Sequence, residues 1–344
     1  MATNIAAKTS SAPAKAFPDW LLGVSFAADW TWAVSVLVGM ALLREQGILP
    51  FFTWFAANTA AIPAFGYVRR KYPALWNQTR RLPMRMIMSL MLMFTFWINL
   101  TGIVTMGDTL HWLSHSTNVA IALATGLALW AVTRKWGIQW SVLSDRVQRW
   151  ALYGAVIVAL VITLAQHGLH VDATLKWGSY TNFHDWLLGF WTVPLLLTNP
   201  FIDGSFWQRA KYAPSMRPDW WGFAMFFSYL CFVAALAFLY VVVYFAATST
   251  MDSALSGMQL TAGRRMGIVV GLLCIGLWYT VSSVGLLSLW AVMFSWYPLM
   301  FACLVLTYHL EKRRLLKPVS TATLTARDGV PLIIMGHRVE EEGG

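Results

Sequence analysis

From Met266 to Tyr308 the chain runs without one charged side chain, and the same holds from Met86 to Gly107 and from Leu110 to Thr133. A helix needs about 20 apolar residues to cross the hydrocarbon of a bilayer, so each shorter run accommodates one span and the longest accommodates two. Such a chain cannot cover itself with a polar surface. Of its 344 residues 58% are hydrophobic and 12% charged, whereas a soluble domain carries roughly a quarter charged. The expectation is an all-α polytopic membrane protein lodged in the bilayer. Twenty tryptophans and eleven tyrosines suit the aromatic belts that hold helices at headgroup level.

Ten spans are predicted near residues 20–43, 46–68, 86–107, 113–133, 150–168, 185–209, 218–236, 239–262, 266–284 and 287–308. The count turns on Trp220 to Gly263, whose only charge is Asp252: this stretch reads either as one helix and a loop or as two helices. Lys and Arg collect in short cytoplasmic loops. With ten spans and the N-terminus inside, every Lys and Arg except Arg44 and Lys176 is cytoplasmic. With nine, Arg264, Arg265 and the basic segment beginning at Glu311 move outside. Ten spans therefore fit better, and they put Ser249, Thr250 and Asp252 inside the membrane.

The pentapeptide DWLLG opens the first span at Asp19–Gly23 and the sixth at Asp185–Gly189. On the ten-span count the first copy enters from the cytoplasm and the second from outside, the relation that an inverted-topology repeat requires. The chain then divides into a cytoplasmic tail (1–17), two five-helix repeats (18–168 and 184–309) and a second cytoplasmic tail (310–344), in the cell membrane, bacterial inner or plasma.

Several function classes drop out. Cys231, Cys274 and Cys303 lie in apolar runs without CxxC or Cys/His spacing, which supports neither a disulfide framework nor a zinc site. Residues 1–17 lack the apolar core of a cleavable signal peptide. The net charge of +10 follows from the loop bias and has no stacking platform beside it, so nucleic acid is not an expected partner. No GxSxG, P-loop, HExxH or dinucleotide glycine pattern appears, and no enzyme is expected.

The polar residues inside the spans carry the functional reading, because a carboxylate at the membrane centre costs about 2.5–3.5 kcal/mol on insertion scales. Asp29, Asp203 and Asp252 are the candidates, Asp29 also reading as a plain interhelical hydrogen-bonding residue. In the sixth span, LLLTNPFIDGSFWQRA, Pro200 followed by Gly204 predicts an unwound Thr198–Gly204 segment or an ordinary proline kink. In the eighth, AATSTMDSAL, the hydroxyls of Thr248, Ser249, Thr250 and Ser253 form a low-charge oxygen cluster suited to a monovalent ion, although one or two would bond their own helix.

GVSFAADWTWAVSVLVG resembles the first core helix of the sodium/solute symporter family, which has the leucine-transporter-type inverted-repeat fold. RKWGIQWSVLSDRVQ is similar to that family's Thr-Asp-x-x-Gln segment, with Asp145 and Gln148 in register and Ser144 for Thr. NPFIDGSFWQRA is similar to its Gln-Arg segment at Gln208 and Arg209, and ATSTMDSAL to its Ser-Thr-x-Asp-Ser motif. The resemblance implies broken first and sixth helices, and a sodium ion held by the carbonyls of Ala27, Trp30 and Ala246 with the hydroxyls of Ser249 and Thr250. Asp29 and Asp252 would support that site and Asp145 the cytoplasmic ion route. A small organic solute would sit mid-membrane near Trp32, Asn199, Asp203 and Gly204, Trp32 standing where the family has a small residue. The implied function is sodium-coupled symport by alternating access. The other reading is a non-transporting sensor or subunit of that fold, working through a membrane-protein partner.

The topology is directly testable. Cysteines at positions 80, 265 and 317 should resist an impermeant thiol reagent in intact cells, and one at 179 should react; labelling at 265 from outside would restore the nine-span reading.

Overall fold

The computed structural model describes residues 17–42, 46–72, 75, 79, 81–167, 183–212 and 239–312. Among the described residues there are eleven helices and no strand: α1 (Asp19–Trp30), α2 (Ala33–Ala41), α3 (Ile48–Lys71), α4 (Leu82–Leu110), α5 (His115–Trp136), α6 (Ile138–His167), α7 (Phe183–Ile202), α8 (Gly204–Tyr212), α9 (Leu239–Ala262), α10 (Arg264–Thr280) and α11 (Leu286–Lys312). Phe17–Tyr308 form one compact unit. The chain ends form a second, of which only 309–312, the last turn of α11, is described. The predicted seventh span (218–236) and most of both tails lie outside the described residues.

Helices α3, α4 and α5 are each long and apolar enough to cross a membrane, and α1 with α2, bent by 64° at their break, pass the same test as a pair. The outward faces agree. Ile157, Val158, Val161 and Leu164 on α6, and Val269, Leu272, Leu273 and Leu277 on α10, are all exposed. Helical spacing gathers them into stripes that water would penalise and lipid would not.

Helix α9 is the centre of the unit. It packs on α4, α6 and α10 most extensively and also on α5, α8, α2 and α1, and every residue from Ala246 to Met258 is buried. Protein on all sides lets this helix carry hydroxyls and a carboxylate that a lipid-facing helix could not. Small residues allow the close approaches, as in other membrane bundles. A Cβ on Gly204 or Gly257 would meet Leu92 of α4 at 3.1 and 3.0 Å. Aromatic edges join α3 to α7 and α8, with Phe65 at 5.1 Å from Trp207, 5.4 Å from Phe201 and 5.7 Å from Phe206, ring centre to ring centre.

Two helices are interrupted. The first break falls at Thr31–Trp32, where neither Gly nor Pro marks it. Tertiary partners hold it open: Asn99 of α4 accepts from the Ala33 N–H at 2.9 Å, and the Trp32 indole donates to the Asp29 carbonyl at 2.9 Å. The second break differs from the predicted unwound Thr198–Gly204. Helix α7 runs through Pro194 and Pro200 to Ile202, and Asp203 alone interrupts it. The Asp203 N–H still bonds to the Asn199 carbonyl at 3.1 Å, and its carboxylate then accepts from the Ser205 N–H at 2.8 Å, capping α8 as an N-cap aspartate does.

A second correction concerns the fifth span. Its helix starts at Ile138, well before the predicted 150, so Asp145, Gln148 and Arg149 belong to a helix packed in the bundle and not to a connecting loop. Asp145 and Arg149 are 0% and 3% exposed. Arg209 is likewise fully buried, inside α8 and not at the start of a loop.

The α9–α10 hairpin gives a stability test. Gly263, at φ 82°, turns the chain, and a Cβ on Gly267 would stand 2.5 Å from the Gln259 Cα and 2.6 Å from the Met258 carbonyl oxygen. Backbone cannot yield as a side chain does. Gly267→Ala should therefore cost about 1–3 kcal/mol of overpacking, read as a lower melting temperature in detergent. Gly276→Ala, with nothing within 4 Å, should be neutral or slightly stabilising.

Candidate functional site

The site grows from two polar stripes that face one another. On α6, Ser141, Ser144, Asp145, Gln148 and Arg149 follow helical spacing; on α9, Ser249, Asp252, Ser253 and Ser256 do the same. Asp252 accepts from Ser141 at 3.0 Å, from Ser253 at 3.3 Å, from Gln148 at 3.5 Å and closely from Ser144. Ser249 donates to Asp145 at 2.9 Å. Gln208 of α8 exchanges bonds with Ser256, donating to its carbonyl at 3.2 Å and accepting from its hydroxyl at 2.9 Å.

Arg209 stands at the junction. Its Nη2 lies 3.0 Å from Asp145 and its Nη1 3.3 Å from Asp29, with all three side chains within 1% of full burial. The same guanidinium donates to Ser25 at 2.7 Å, Ser141 at 3.0 Å and Ser253 at 2.5 Å, and Ser25 also donates to Asp145. One side chain thereby ties α1, α6, α8 and α9 together. Only a planar fork of five donors can serve so many acceptors at once.

Next to it the two breaks meet. The Ser205 hydroxyl lies 2.5 Å from Asp29 Oδ2 and 2.6 Å from Asp203 Oδ1. Among the described residues, the far oxygens of both carboxylates, Asp29 Oδ1 and Asp203 Oδ2, are buried without a hydrogen-bond partner. Such atoms normally mark a place where a proton, water or ligand belongs.

Of the five predicted sodium ligands, the structure draws Thr250 and Ala246 together with the first break. The Thr250 hydroxyl stands 3.1 Å from the Ala246 carbonyl, 3.2 Å from that of Thr31 and 3.4 Å from that of Asp29. The Ala27 carbonyl accepts from the Thr31 hydroxyl at 2.8 Å, and the Ser249 hydroxyl donates to Asp145 at 2.9 Å. A small void beside them is walled by Ala28, Thr31, Gln148, Arg149, Ala246 and Ser249. Arg149 Nη2 donates to the Thr31 hydroxyl at 2.9 Å, so a guanidinium already occupies the neighbourhood in which the ion was expected. Among the described residues no group of three or more His, Cys, Asp and Glu side chains forms a metal cluster.

A separate cavity of about 30 Å³ is walled by Trp30, Trp32, Val34, Ser35 and Val38 beside the first break, Leu195, Leu196 and Asn199 of α7, Trp54 and Asn58 of α3, and Tyr297 of α11. Of the four predicted solute residues, Trp32 and Asn199 line it. Asp203 instead caps α8, and Gly204 packs against Thr261, Leu92 and Met88; neither is among its walls.

Sequence reading missed the reach of Arg209 and Arg149 and the serines at 25, 141 and 205, and took Ser144 only as the counterpart of the family's Thr. The signal for the α6 residues was present: Ser141, Ser144, Asp145, Gln148 and Arg149 keep a 3.6-residue period, which a loop would not need to keep. No protein-family model matches the chain, and no curated protein is significantly similar to it.

Arg209 gives the sharpest test of this geometry. Arg209→Met should cost about 3–5 kcal/mol, because it leaves buried carboxylates unpaired. Adding Asp29→Asn and Asp145→Asn to that variant should restore part of the loss, measured by thermal melts in one detergent. A triple variant no more stable than the single one would mean that charge pairing is not what Arg209 supplies.

Proposed function

We propose that this chain is a secondary transporter of a small organic solute, working by alternating access in the cell membrane. In this reading it is a five-plus-five inverted repeat of ten spans with cytoplasmic termini, and α1–α2 and α7–α8 are its equivalent broken helices. One observation carries the proposal: the aromatic cavity is walled by residues next to both interruptions, and the buried carboxylates at those interruptions are bridged by Ser205. Helices broken at mid-membrane, beside a cavity, are the recurrent way of building a solute site between repeats. The DWLLG segments support the pairing, since α1 begins at Asp19 and the second copy lies in the first turns of α7.

The cavity walls supply indoles, aliphatic groups, two amides and a phenol, and no charged side chain among the described residues. They suit a small solute with an apolar face and a few hydrogen-bonding groups. The resemblance assigns sodium as the coupling ion, with ligands at Ala27, Trp30, Ala246, Ser249 and Thr250. Arg149 weighs against that assignment, because a fixed positive charge on Thr31 opposes a second cation beside it.

Purified protein in proteoliposomes, screened over amino acids, short carboxylates and sugars under an imposed sodium or proton gradient, tests the proposal. Gradient-driven accumulation of one solute is the expected outcome. Asn199→Ala should then raise the half-saturating solute concentration roughly three- to tenfold, the value of one hydrogen bond of about 0.5–1.5 kcal/mol. Flat uptake for every solute under both gradients would favour the sensor or subunit reading.

A further inference from the structure

We infer that the guanidinium of Arg149 is a resident cation, standing at the first helix break in the place that the family resemblance gives to sodium, and that the protein is therefore indifferent to sodium. The consequence for solute movement rests on the transport reading; the place of Arg149 does not.

An interrupted helix calls for positive charge at its C-terminal end, where the last carbonyls have no following turn to supply N–H donors. Helix α1 ends in this way at Trp30, and the carbonyls of Ala27 and Trp30 both belong to its last turn. Arg149 answers that end. Its Nη2 donates to the Thr31 hydroxyl at 2.9 Å, and that hydroxyl donates in turn to the Ala27 carbonyl at 2.8 Å. The Thr31 carbonyl accepts from Thr250 of α9 at 3.2 Å, so α6 and α9 both hold the break through one residue. Arg149 is buried, and its charge is permanent, since a guanidinium does not lose its proton inside a protein. The ring centre of Tyr153, one turn further along α6, lies 5.7 Å from the guanidinium carbon, a cation–π contact that steadies the group.

Sodium would have to share this place. The void beside Ala28, Thr31, Gln148, Ala246 and Ser249 measures about 10 Å³, room for one water molecule, and Arg149 forms part of its wall. An ion there would stand beside a fixed like charge with no bulk water between them, and such a neighbour lowers affinity on the order of a hundredfold or more. Asp29 and Asp145, the acids nearest in the chain to the break and to Arg149, already face Arg209 at 3.3 and 3.0 Å. The oxygens named for sodium on α9, at Ala246, Ser249 and Thr250, are buried beside the break. What decides which cation they serve is Arg149, which makes it a specificity-determining residue.

Thermal melts of the purified full-length protein, without any solute, test this in sodium, potassium and choline chloride at equal ionic strength. The wild type should melt at one temperature in all three. A sodium-specific rise would overturn the inference, and this arm needs no variant to fold. Arg149→Ala removes the charge and opens the space, so its melting temperature should climb with sodium alone, on the order of a few degrees for each tenfold increase above the dissociation constant. Arg149→Lys keeps a positive charge and should stay indifferent. A folded Arg149→Ala protein without a sodium response, or an Arg149→Lys protein that responds as Arg149→Ala does, would equally overturn it. Wild-type uptake in proteoliposomes should be unchanged when choline replaces sodium on both sides. Because the melts read no transport, a wild-type sodium response beside gradient-driven uptake would sink this inference and leave the transport reading intact. Flat uptake beside the expected melts would do the reverse.

Discussion

The rest of the structure depends on one buried guanidinium. Arg209 is 0% exposed and contacts Ser25 and Asp29 of α1, Ser141 and Asp145 of α6, and Ser253 of α9. Taking this charge out of water costs several kcal/mol, and only a nearly complete set of acceptors offsets it. That requirement explains why the neighbouring faces are so rich in serine. Each serine is small enough to let helices approach and still offers an oxygen. The polar interior is therefore a set of answers to one charge, and the lipid-facing exterior supplies none of them.

This inversion of the soluble pattern also explains the packing. Lipid tails are as apolar as leucine, so burying leucine between helices gains little over leaving it outside. Val269, Leu272, Leu273 and Leu277 face outward, while Ser249, Asp252, Ser253 and Ser256 face α6 and α8. Helix association then rests on close contact, through Gly204, Gly257 and Gly267, and on hydrogen bonds between helices. Helix α9 combines both, which suits its place at the centre.

The sequence disclosed what depends on composition and period, and hid what depends on tertiary partners. Charge-free runs announced the apolar helices, and the hydroxyls around Asp252 announced a buried polar centre. The break at Thr31–Trp32 left no local mark, because its cap is Asn99, far along the chain on α4. The interruption falls inside the predicted Thr198–Gly204 but is narrower, Asp203 alone, whose capping role is written in the Asp-Gly-Ser order that follows Pro200. Asp145 and Arg149 fall between the predicted spans 113–133 and 150–168, where the Lys and Arg bias reads a connecting loop. Their helical period, in register with α9, was the better guide.

The same contacts bear on how such a molecule could move. Helices α1 and α8 are short and both begin or end at a break; Asp29, Ser205 and Arg209 join them to each other, Ser25 fastens α1 to Asp145 of α6, and Arg209 and Gln208 fasten α8 to α6 and α9. Either short helix can tilt only if the Arg209 bonds to the scaffold are exchanged for others, since a bare guanidinium or carboxylate cannot be left in the bundle. Asp145 meets the Arg209 guanidinium at 3.0 Å and also accepts from Ser25 and Ser249, whereas Asp29 meets it at 3.3 Å and, among the described residues, shares only the Ser205 hydroxyl. The two pairs are therefore unequal: Asp145 anchors α8 to α6, and Asp29 joins the two short helices to one another through fewer and longer contacts.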